Sequence, residues 1–339
     1  MRPVYYVKRR CRQKRKFPKF LLFLIILLII IYLLTRNLIT KPESKDISRE
    51  RENEKSISEN IFSYPTLPPT SPTPINTALP SLLLKQAVQS ALEGTHGSYG
   101  IVVKNLKTGE NYSLNEHTNY SSASLYKLWV MAEAYRQIRD GLLKETEILS
   151  NSYETLNSKF DIDPKTAEFK EGTITLSVKD ALYKMITISD NYAALLLSLR
   201  VKLINVTFFL QTNGFSESAI GTNGKPPTTT AYDTALFFEK LYNEQLISKE
   251  YSNKMLEILK AQKLNDKIPK NLPVNTLVAH KTGELDEYTH DAGIVYAEDN
   301  EYIIVVLSKS DNPDLADNRI SNVSESVYNY FLNNNQKFE

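Results

Sequence analysis

An unbroken run of fifteen apolar residues near the N-terminus, residues 20–34, constrains the architecture of this chain more than any other feature. The run is short for a bilayer core of about 30 Å, but extension to residue 39, with Lys19 and Arg36 reaching the interfaces, gives a workable span. Nine of the first nineteen residues are Lys or Arg, and none is acidic. The positive-inside rule therefore predicts a cytoplasmic tip at 1–19, a single transmembrane anchor at 20–39 and an extracytoplasmic remainder.

A cleavable signal peptide is the competing interpretation of the same apolar run. Such a peptide ends in small residues that mark its cleavage site. Residues 35–41 read Thr-Arg-Asn-Leu-Ile-Thr-Lys and offer no such site. An uncleaved anchor in a bacterial cell membrane is therefore favoured.

Residues 40–80 lack the apolar content that a packed core needs. Acidic and basic residues alternate through 41–60, and 64–80 contain six prolines among Thr and Ser. This composition predicts a disordered, extended stalk at 40–80 and a globular domain at 81–339.

The charge distribution excludes some functions. Beyond the basic tip, the chain carries 32 basic and 39 acidic residues, which does not favour a nucleic-acid groove. The single cysteine, Cys11, cannot form a disulfide within the chain. The four histidines at 96, 117, 280 and 290 contain no closely spaced ligand pair, so neither a metal ion nor another cofactor is expected.

Apolar periodicity predicts an α+β domain. Helices are expected at 81–92, 124–139, 178–187, 191–202, 205–212, 230–243, 249–261 and 320–332, and strands at 99–103, 111–114, 275–282, 289–297 and 302–309, with a hairpin turn at 299–300. Strands at both ends of the domain can join one antiparallel sheet, with the terminal helices on one face. The helical middle would cover the other face or form a lobe of its own, and a cleft beside it is where a site is expected.

One Ser-x-x-Lys sequence occurs in the chain, at Ser124 and Lys127. Positions i and i+3 of a helix share a face, so the lysine amine would lie beside the serine hydroxyl. A serine needs a neighbouring base to become a nucleophile, and a lysine with a depressed pKa can serve. The alternative is that Ser122 or Ser124 is a plain helix N-cap and the lysine is solvated.

A Ser-Asp-Asn tripeptide follows at 189–191, between two predicted helices. Ser189 and Asn191 offer a second hydroxyl and an amide that could face the first pair. The alternative is a polar helix cap, and the same tripeptide recurs at 310–312, so the sequence alone carries little information.

A Lys-Thr-Gly sequence ends the predicted strand at 275–282. On a strand, Lys281 and Thr282 can hold a substrate carboxylate, and Gly283 allows a substrate backbone to approach closely. A second Lys-Thr-Gly at 107–109 is interpreted as a hairpin turn.

The order of these three motifs resembles that of class A serine β-lactamases and penicillin-binding proteins. The resemblance covers about residues 82–335 and implies a β-lactamase/transpeptidase-like fold. It implies that Ser124 attacks the lactam carbonyl, that Lys127 helps to deprotonate it and that Ser189 relays a proton to the leaving nitrogen.

The substrate contacts follow from the same resemblance. Asn191 would touch the amide side chain of the substrate, and Lys281 and Thr282, beside Gly283, would bind its carboxylate. The backbone N–H groups of Ser124 and Glu284 would form the oxyanion hole. Two further segments are similar to the family: Thr-Thr-Thr at 228–230 with Asp233, and the strand that begins at Asp291.

One departure from the family pattern concerns deacylation, the second half of the reaction. The family carries a Glu-x-x-Leu-Asn loop whose glutamate activates the deacylating water. Residues 212–227 contain no such sequence, and their single carboxylate, Glu217, is expected to be a solvated loop acid. The strand after the Lys-Thr-Gly is also more acidic, at 284–287, than an anionic substrate would favour.

Three functions therefore remain open. The first is a β-lactamase that is acylated at Ser124, hydrolyses the lactam amide and so confers antibiotic resistance. The second is a membrane-anchored D-Ala-D-Ala carboxypeptidase that acts on peptidoglycan stem peptides, since an acyl-enzyme without a placed base would hydrolyse slowly. The third is a non-catalytic wall-binding module.

Overall fold

Five antiparallel strands form the central sheet. The strands with their bounds are β1 (Ser98–Asn105), β2 (Asn111–Leu114), β7 (Leu277–Leu285), β8 (Tyr288–Ala297) and β9 (Asn300–Lys309). Their order across the sheet is β2-β1-β9-β8-β7, so strands from both ends of the domain lie side by side. Two short ladders lie outside this sheet: β3 (Tyr120–Ser121) with β6 (Thr228–Thr229), and β4 (Ile148–Ser152) with β5 (Thr173–Ser177).

Nine α-helices surround the sheet in the described part of the chain. They are α1 (Ala78–Leu92), α2 (Tyr126–Arg139), α3 (Tyr153–Lys159), α4 (Val178–Thr187), α5 (Asn191–Val201), α6 (Leu203–Thr212), α7 (Ala231–Tyr242), α8 (Lys249–Lys260) and α9 (Pro313–Asn335). A 3₁₀ turn, Ala123–Leu125, precedes α2.

This computed structural model describes residues 78–221, 225–297 and 300–335. The predicted cytoplasmic tip and transmembrane anchor lie outside the described residues, as does the predicted stalk except for 78–80. None of the described helices is by itself long and apolar enough to cross a bilayer; only α5 and α6 taken together, bent by 80°, pass that test of length and composition.

Both faces of the sheet are covered, so the helical middle takes the first of the two arrangements that the sequence left open. On one face, Ile304 and Val306 pack with the terminal helices α1 and α9. On the other, Ile303 and Val305 pack against the helical block that runs from α2 to α8. Alternate residues of one strand point to opposite faces, so a strand buried on both sides reads as a continuous apolar run.

Several predicted elements differ from the observed ones at their ends. Helix α1 begins at residue 78 rather than 81, and α9 begins at residue 313 rather than 320. Strand β7 runs three residues beyond the predicted end, and Asn300 belongs to β9 rather than to the turn. Helix α3 and the paired strands β4 and β5 were not predicted, because elements of five to seven residues carry too little periodicity to be recognised.

Candidate active site

The nucleophile candidate lies on a tight turn that is held from two sides. Strand β3 pairs with β6, and the N–H of Ser122 donates to the carbonyl of Pro227 over 2.9 Å. The chain then turns sharply at Ala123, whose φ of 45° lies in the left-handed region. A non-glycine residue in that region is strained and persists only where the surrounding contacts impose it. Ala123 is the first residue of the 3₁₀ turn that carries Ser124.

His290 fixes the chain just before that turn. Its Nε2 contacts the carbonyl of Ser121 at 2.7 Å, while its Nδ1 accepts the N–H of Ser308 at 3.1 Å. One nitrogen therefore donates and the other accepts, which requires a neutral imidazole. Complete burial lowers the pKa of His290 to about 4, in agreement with these contacts. Sequence reasoning had weighed this histidine only as a metal ligand.

Ser122 holds the N-cap position of the 3₁₀ turn, but no serine side chain makes a capping hydrogen bond there. Neither the 3₁₀ turn nor α2 has a side-chain hydrogen bond at its N-cap, and α2 begins at Tyr126, after Ser124. Ser124 is half-buried, and its hydroxyl makes no hydrogen bond with any part of the chain that the structure describes. The hydroxyl is therefore available to an external group.

Lys127 lies one turn further along, fully buried, with its amine directed at the Ser-Asp-Asn segment. Its Nζ donates to the carbonyl of Ser189 at 2.6 Å, to the Ser189 hydroxyl at 3.1 Å and to Oδ1 of Asn191 at 2.9 Å. These three acceptors match the three N–H groups of an ammonium. The solvated-lysine alternative is thereby excluded.

Lys281 reaches the same hydroxyl from the sheet. Its Nζ donates to Ser189 Oγ at 3.0 Å and to the carbonyl of Thr282 at 2.7 Å. Ser189 itself has a φ of 56°, so a second strained residue lies at the site. Because both lysines donate to Ser189 Oγ, the hydroxyl proton of Ser189 is free to be given elsewhere. The structure thus brings the Ser-Asp-Asn and Lys-Thr-Gly motifs together around one oxygen.

The pKa values of both amines are depressed. Burial lowers the pKa of Lys127 to about 7, and the negative charges of Asp190 and Glu168 only partly oppose that shift. Burial also lowers the pKa of Lys281, and the nearby charge of Lys127 lowers it further. A lysine with a pKa of about 7 is partly neutral at physiological pH and can accept a proton.

The edge strand β7 passes very close to the Ser124 turn. A Cβ added to Gly283 would lie 3.2 Å from the Ser122 carbonyl oxygen and 3.3 Å from the backbone nitrogen of Ser124. Such contacts are tighter than most real ones, so glycine is what permits this approach. The residue that follows this glycine is Glu284, whose backbone N–H stays a predicted member of the oxyanion hole.

Glu284 also explains how an acidic strand is tolerated here. Its carboxylate Oε1 accepts a hydrogen bond of 2.5 Å from Nζ of Lys267, a lysine whose side chain is completely buried. Asp266 and Asp317 lie 3.4 and 3.3 Å from the same nitrogen. Burial acts to lower the pKa of Lys267, but these acidic partners outweigh it and raise the pKa above its ordinary value.

The carboxylates of Asp266, Glu284 and Asp317 have oxygens within 4.8 Å of one another, the spacing of a cation site. The Lys267 ammonium among them supplies the compensating charge. Sequence reasoning missed this group because Lys267 lies in an irregular segment and lysine is rarely buried.

A second network of buried hydrogen bonds holds β7 in place. Nδ1 of His280 lies 2.9 Å from Oδ1 of Asp291, whose Oδ2 accepts the N–H of Ile268 at 3.0 Å. Nε2 of His280 contacts Oδ1 of Asn265 at 3.0 Å. These bonds tie the irregular segment before β7 to the strand and its neighbour β8.

Glu217 is not the solvated acid that the sequence predicted. Its Oε1 lies 2.8 Å from Nδ1 of His117, and its Oε2 accepts the hydroxyl of Thr230 at 2.7 Å. Thr230 is the N-cap of α7, where its side chain accepts the N–H of Asp233. Both oxygens of Glu217 are therefore engaged away from the lysine cluster.

A different carboxylate, Glu168, acts on the site. Its charge is one of the two that raise the pKa of Lys127. The neighbouring Phe169 is fastened by both backbone groups, since its N–H and its carbonyl lie 3.1 and 2.9 Å from the hydroxyl of Tyr192. Tyr192 follows Asn191 directly, so the loop that carries Glu168 is anchored at the rim of the lysine cluster. No sequence motif marks this residue.

The recurring tripeptides lie elsewhere. Residues 107–109 belong to the turn between β1 and β2, as predicted, with the Lys107 N–H bonded to Oδ1 of Asn105 at 2.9 Å. In the 310–312 copy, Oδ1 of Asn312 accepts the N–H of Leu315 at 3.2 Å in the first turn of α9. Position in the fold therefore separates the three motifs of the cluster from their copies.

Comparison with known proteins agrees with this geometry. The model of the β-lactamase enzyme family matches residues 83–331. β-Lactamase VEB-1 of Pseudomonas aeruginosa is 24% identical over 281 residues, which cover 76% of this chain and 93% of that protein.

Two solved structures show the same fold at lower identity. A variant of PBP-A, solved as an acyl-enzyme complex with penicillin G, superposes with a TM-score of 0.66 at 22% identity, covering 75% of this chain and 97% of that one. A representative of class A β-lactamase from Bacteroides cellulosilyticus DSM 14838 gives a TM-score of 0.65 at 20% identity, with 74% and 98% covered. The family match spans most of the chain, and the chain belongs to the β-lactamase enzyme family.

Proposed function

We propose that this protein is a serine hydrolase that is acylated by β-lactams at Ser124 and hydrolyses the lactam amide. The observation that carries the proposal is the meeting of Lys127, Ser189 and Lys281 around one hydroxyl oxygen beside the Ser124 turn. A serine nucleophile, a lysine base with a depressed pKa and a second lysine that can meet the carboxylate of the substrate are groups that acyl transfer from a lactam needs.

In the acylation step, neutral Lys127 takes the proton of Ser124 Oγ as that oxygen attacks the lactam carbonyl carbon. The carbonyl oxygen becomes negative, and the N–H groups of Ser124 and Glu284 stabilise it. When the ring C–N bond breaks, the leaving nitrogen takes the Ser189 hydroxyl proton, which Lys127 then replaces.

Substrate binding would use the sheet side of the cluster. Lys281 and the Thr282 hydroxyl hold the carboxylate of the substrate, and Asn191 contacts its amide side chain. The penicillin G bound in the PBP-A variant supports a lactam as the ligand of this fold, although that observation concerns PBP-A.

A second candidate is a membrane-anchored D-Ala-D-Ala carboxypeptidase acting on peptidoglycan. The observation that favours it is the engagement of both Glu217 oxygens by His117 and Thr230. Because the one carboxylate of residues 212–221 and 225–227 is held away from the lysine cluster, deacylation should be slow. A lasting penicillin adduct is the signature of that candidate.

The test is incubation of the purified full-length protein with a fluorescent penicillin and, separately, with a chromogenic lactam. Turnover without a lasting adduct supports the hydrolase, whereas a rapid, long-lived adduct identifies the peptidase. Ser124→Ala should abolish both signals, and Ser158→Ala, at an exposed serine outside the three motifs, should leave them unchanged. Labelling that persists in Ser124→Ala would assign the adduct to a different nucleophile, and a wild type that shows neither an adduct nor turnover would leave only a wall-binding module.

We propose further that residues 20–39 anchor the chain in the cell membrane with the catalytic domain outside. The support is the apolar run at 20–34 and the nine basic residues before it. Membrane fractionation of cells and digestion by an added protease check this proposal. The protein should sediment with membranes and be shaved from intact cells; recovery in the soluble cytoplasmic fraction would contradict the anchor.

A further inference from the structure

A crevice of about 460 Å³ lies on the face of the sheet that α1 and α9 cover. It is bounded by the segment after α1, the start of β1 and the first turns of α9. Its walls include Thr95, His96, Tyr99, Asn312, Leu315 and Arg319. None of the residues proposed for acylation lines it, so it is separate from the Ser124 site.

Arg319 supplies a cation without an acidic partner. The residue is half-buried, and its Nη1 donates to the carbonyl of Ala91 at 2.6 Å, which fixes the guanidinium against the end of α1. No carboxylate forms a salt bridge with it within residues 78–221, 225–297 and 300–335. A guanidinium presents five donors in a planar fork, and most of these remain available.

Tyr99 adds a hydroxyl that also lacks a partner. The residue is only 6% exposed and lines the crevice, and its hydroxyl has no hydrogen bond to any described residue. A ligand that enters the crevice can therefore pair with this hydroxyl. Burial raises the pKa of Tyr99, and the nearby positive charge of Arg319 lowers it in part.

The remaining walls suit a small anion with an organic part. Asp311, which is exposed, is the single acidic residue among those that line the crevice. The lining therefore has no excess of negative charge over the charge of Arg319. The first turn of α9 opens onto it, and a helix N-terminus favours negative charge. Leu315, 62% exposed, offers an apolar surface beside these polar groups.

We propose that this crevice is a second ligand-binding site, which takes a small organic anion through a carboxylate or phosphate group held by Arg319 and the Tyr99 hydroxyl. The anion would lie between the guanidinium fork and the phenol, where charge-assisted hydrogen bonds are strong. The site is independent of acyl transfer, so occupancy of one does not require activity of the other.

The experiment measures the thermal midpoint of the full-length protein against inorganic phosphate and, in a second arm, against acetate, at constant ionic strength set with chloride. Binding to the folded state raises the midpoint with ligand concentration, and the two arms distinguish a phosphate from a carboxylate. Arg319→Gln should weaken binding at least about tenfold, and Tyr99→Phe about three- to tenfold. Lys179→Gln, which removes an exposed charge on α4, should have no effect.

Ser124→Ala keeps the anion response if the inference is right, which separates this result from the test of acylation. If Arg319→Gln fails to fold, anion binding is measured instead with Tyr99→Phe and Arg319→Lys, since both variants roughly retain the size of the side chain. The absence of any midpoint shift in the wild type, or equal binding by wild type, Arg319→Gln and Tyr99→Phe, would overturn the proposal.

Discussion

Burial, rather than a neighbouring cation, is the main cause of the low pKa of Lys127. Three acceptors surround its Nζ, which suits the ammonium. A neutral amine has only two N–H groups, so one of the three contacts loses its donated proton and the nitrogen gains a lone pair that can accept one. The neutral, reactive state becomes populated near pH 7.

The Glu168 charge gives a way to test this base. Wild-type acylation by a fluorescent penicillin should rise with pH through about 7, where Lys127 loses its proton. Since Glu168 raises the pKa of Lys127, Glu168→Gln should move the inflection a few tenths of a pH unit lower, and salt should diminish the difference because the carboxylate is exposed. Rate constants of acylation between pH 5.5 and 9 provide the measurement.

Two further variants serve as controls for this prediction. Glu171→Gln removes an exposed acid of the same loop that does not act on Lys127, and its profile should match the wild type. Lys127→Ala should slow acylation by at least about 10²-fold. A pH profile that keeps the wild-type inflection in Lys127→Ala would assign the titration to another group.

Strand β7 combines substrate groups with structural ones. Lys281 bonds to Ser189 in the motif cluster, while Glu284 pairs with Lys267 and, through it, with Asp317 on α9. The strand end that carries the proposed oxyanion N–H is thus fastened to a helix on the opposite face of the sheet.

Removal of the lysine should expose the charge of Glu284 to the substrate. We expect Lys267→Met to weaken acylation by an anionic lactam about three- to tenfold, mostly through apparent affinity, because the uncompensated carboxylate repels the substrate carboxylate. The double variant Lys267→Met/Glu284→Gln should recover most of this loss, whereas Lys270→Met, an exposed neighbour, should change nothing. A double variant no better than Lys267→Met would show that the lysine acts only through stability.

Some elements of the site could be predicted from the sequence and others could not. Ser124, Lys127, Ser189 and Lys281 were predicted because three motifs occur in a fixed order, which no single motif would have justified. The Lys267 group was missed for a physical reason. It depends on contacts between the irregular segment 261–276 and α9, and periodicity describes only local structure.

At the scale of the whole molecule, His290 links three parts of the chain: it belongs to β8 and bonds with β9 and with the segment before Ser124. Its ordinary pKa of 6.5 falls to about 4 in the fold, so the folded protein binds this proton less readily than the unfolded chain. The stability that neutral His290 contributes is therefore complete above pH 6.5 and is lost as the pH falls towards 4.

The free energy of unfolding should accordingly decrease by on the order of 3 kcal/mol between pH 6.5 and 4 through this residue alone. Urea unfolding at several pH values measures it. His290→Gln should be less stable at pH 7 but should lose less stability over that interval. His96→Gln, at an exposed position, should retain the wild-type dependence, and identical curves for His290→Gln and wild type would rule out this assignment.

The general architecture followed from the distribution of strands, because strands at both ends of a chain pair most simply in one sheet. The strand order across that sheet was not predictable, since it depends on which edges meet during folding. The anchor and stalk rest on composition, and they lie outside the described residues.

The position of β7 at the sheet edge has one more consequence. An outer strand presents unpaired backbone groups that a strand from another copy could join, a known route to aggregation. Here the Ser124 turn shields part of that rim, and the exposed carboxylates of Glu284 and Glu287 lie at the end of the strand and in the following turn. The turn that presents the proposed nucleophile and the acidic residues beside it thus also discourage the molecule from polymerising with itself.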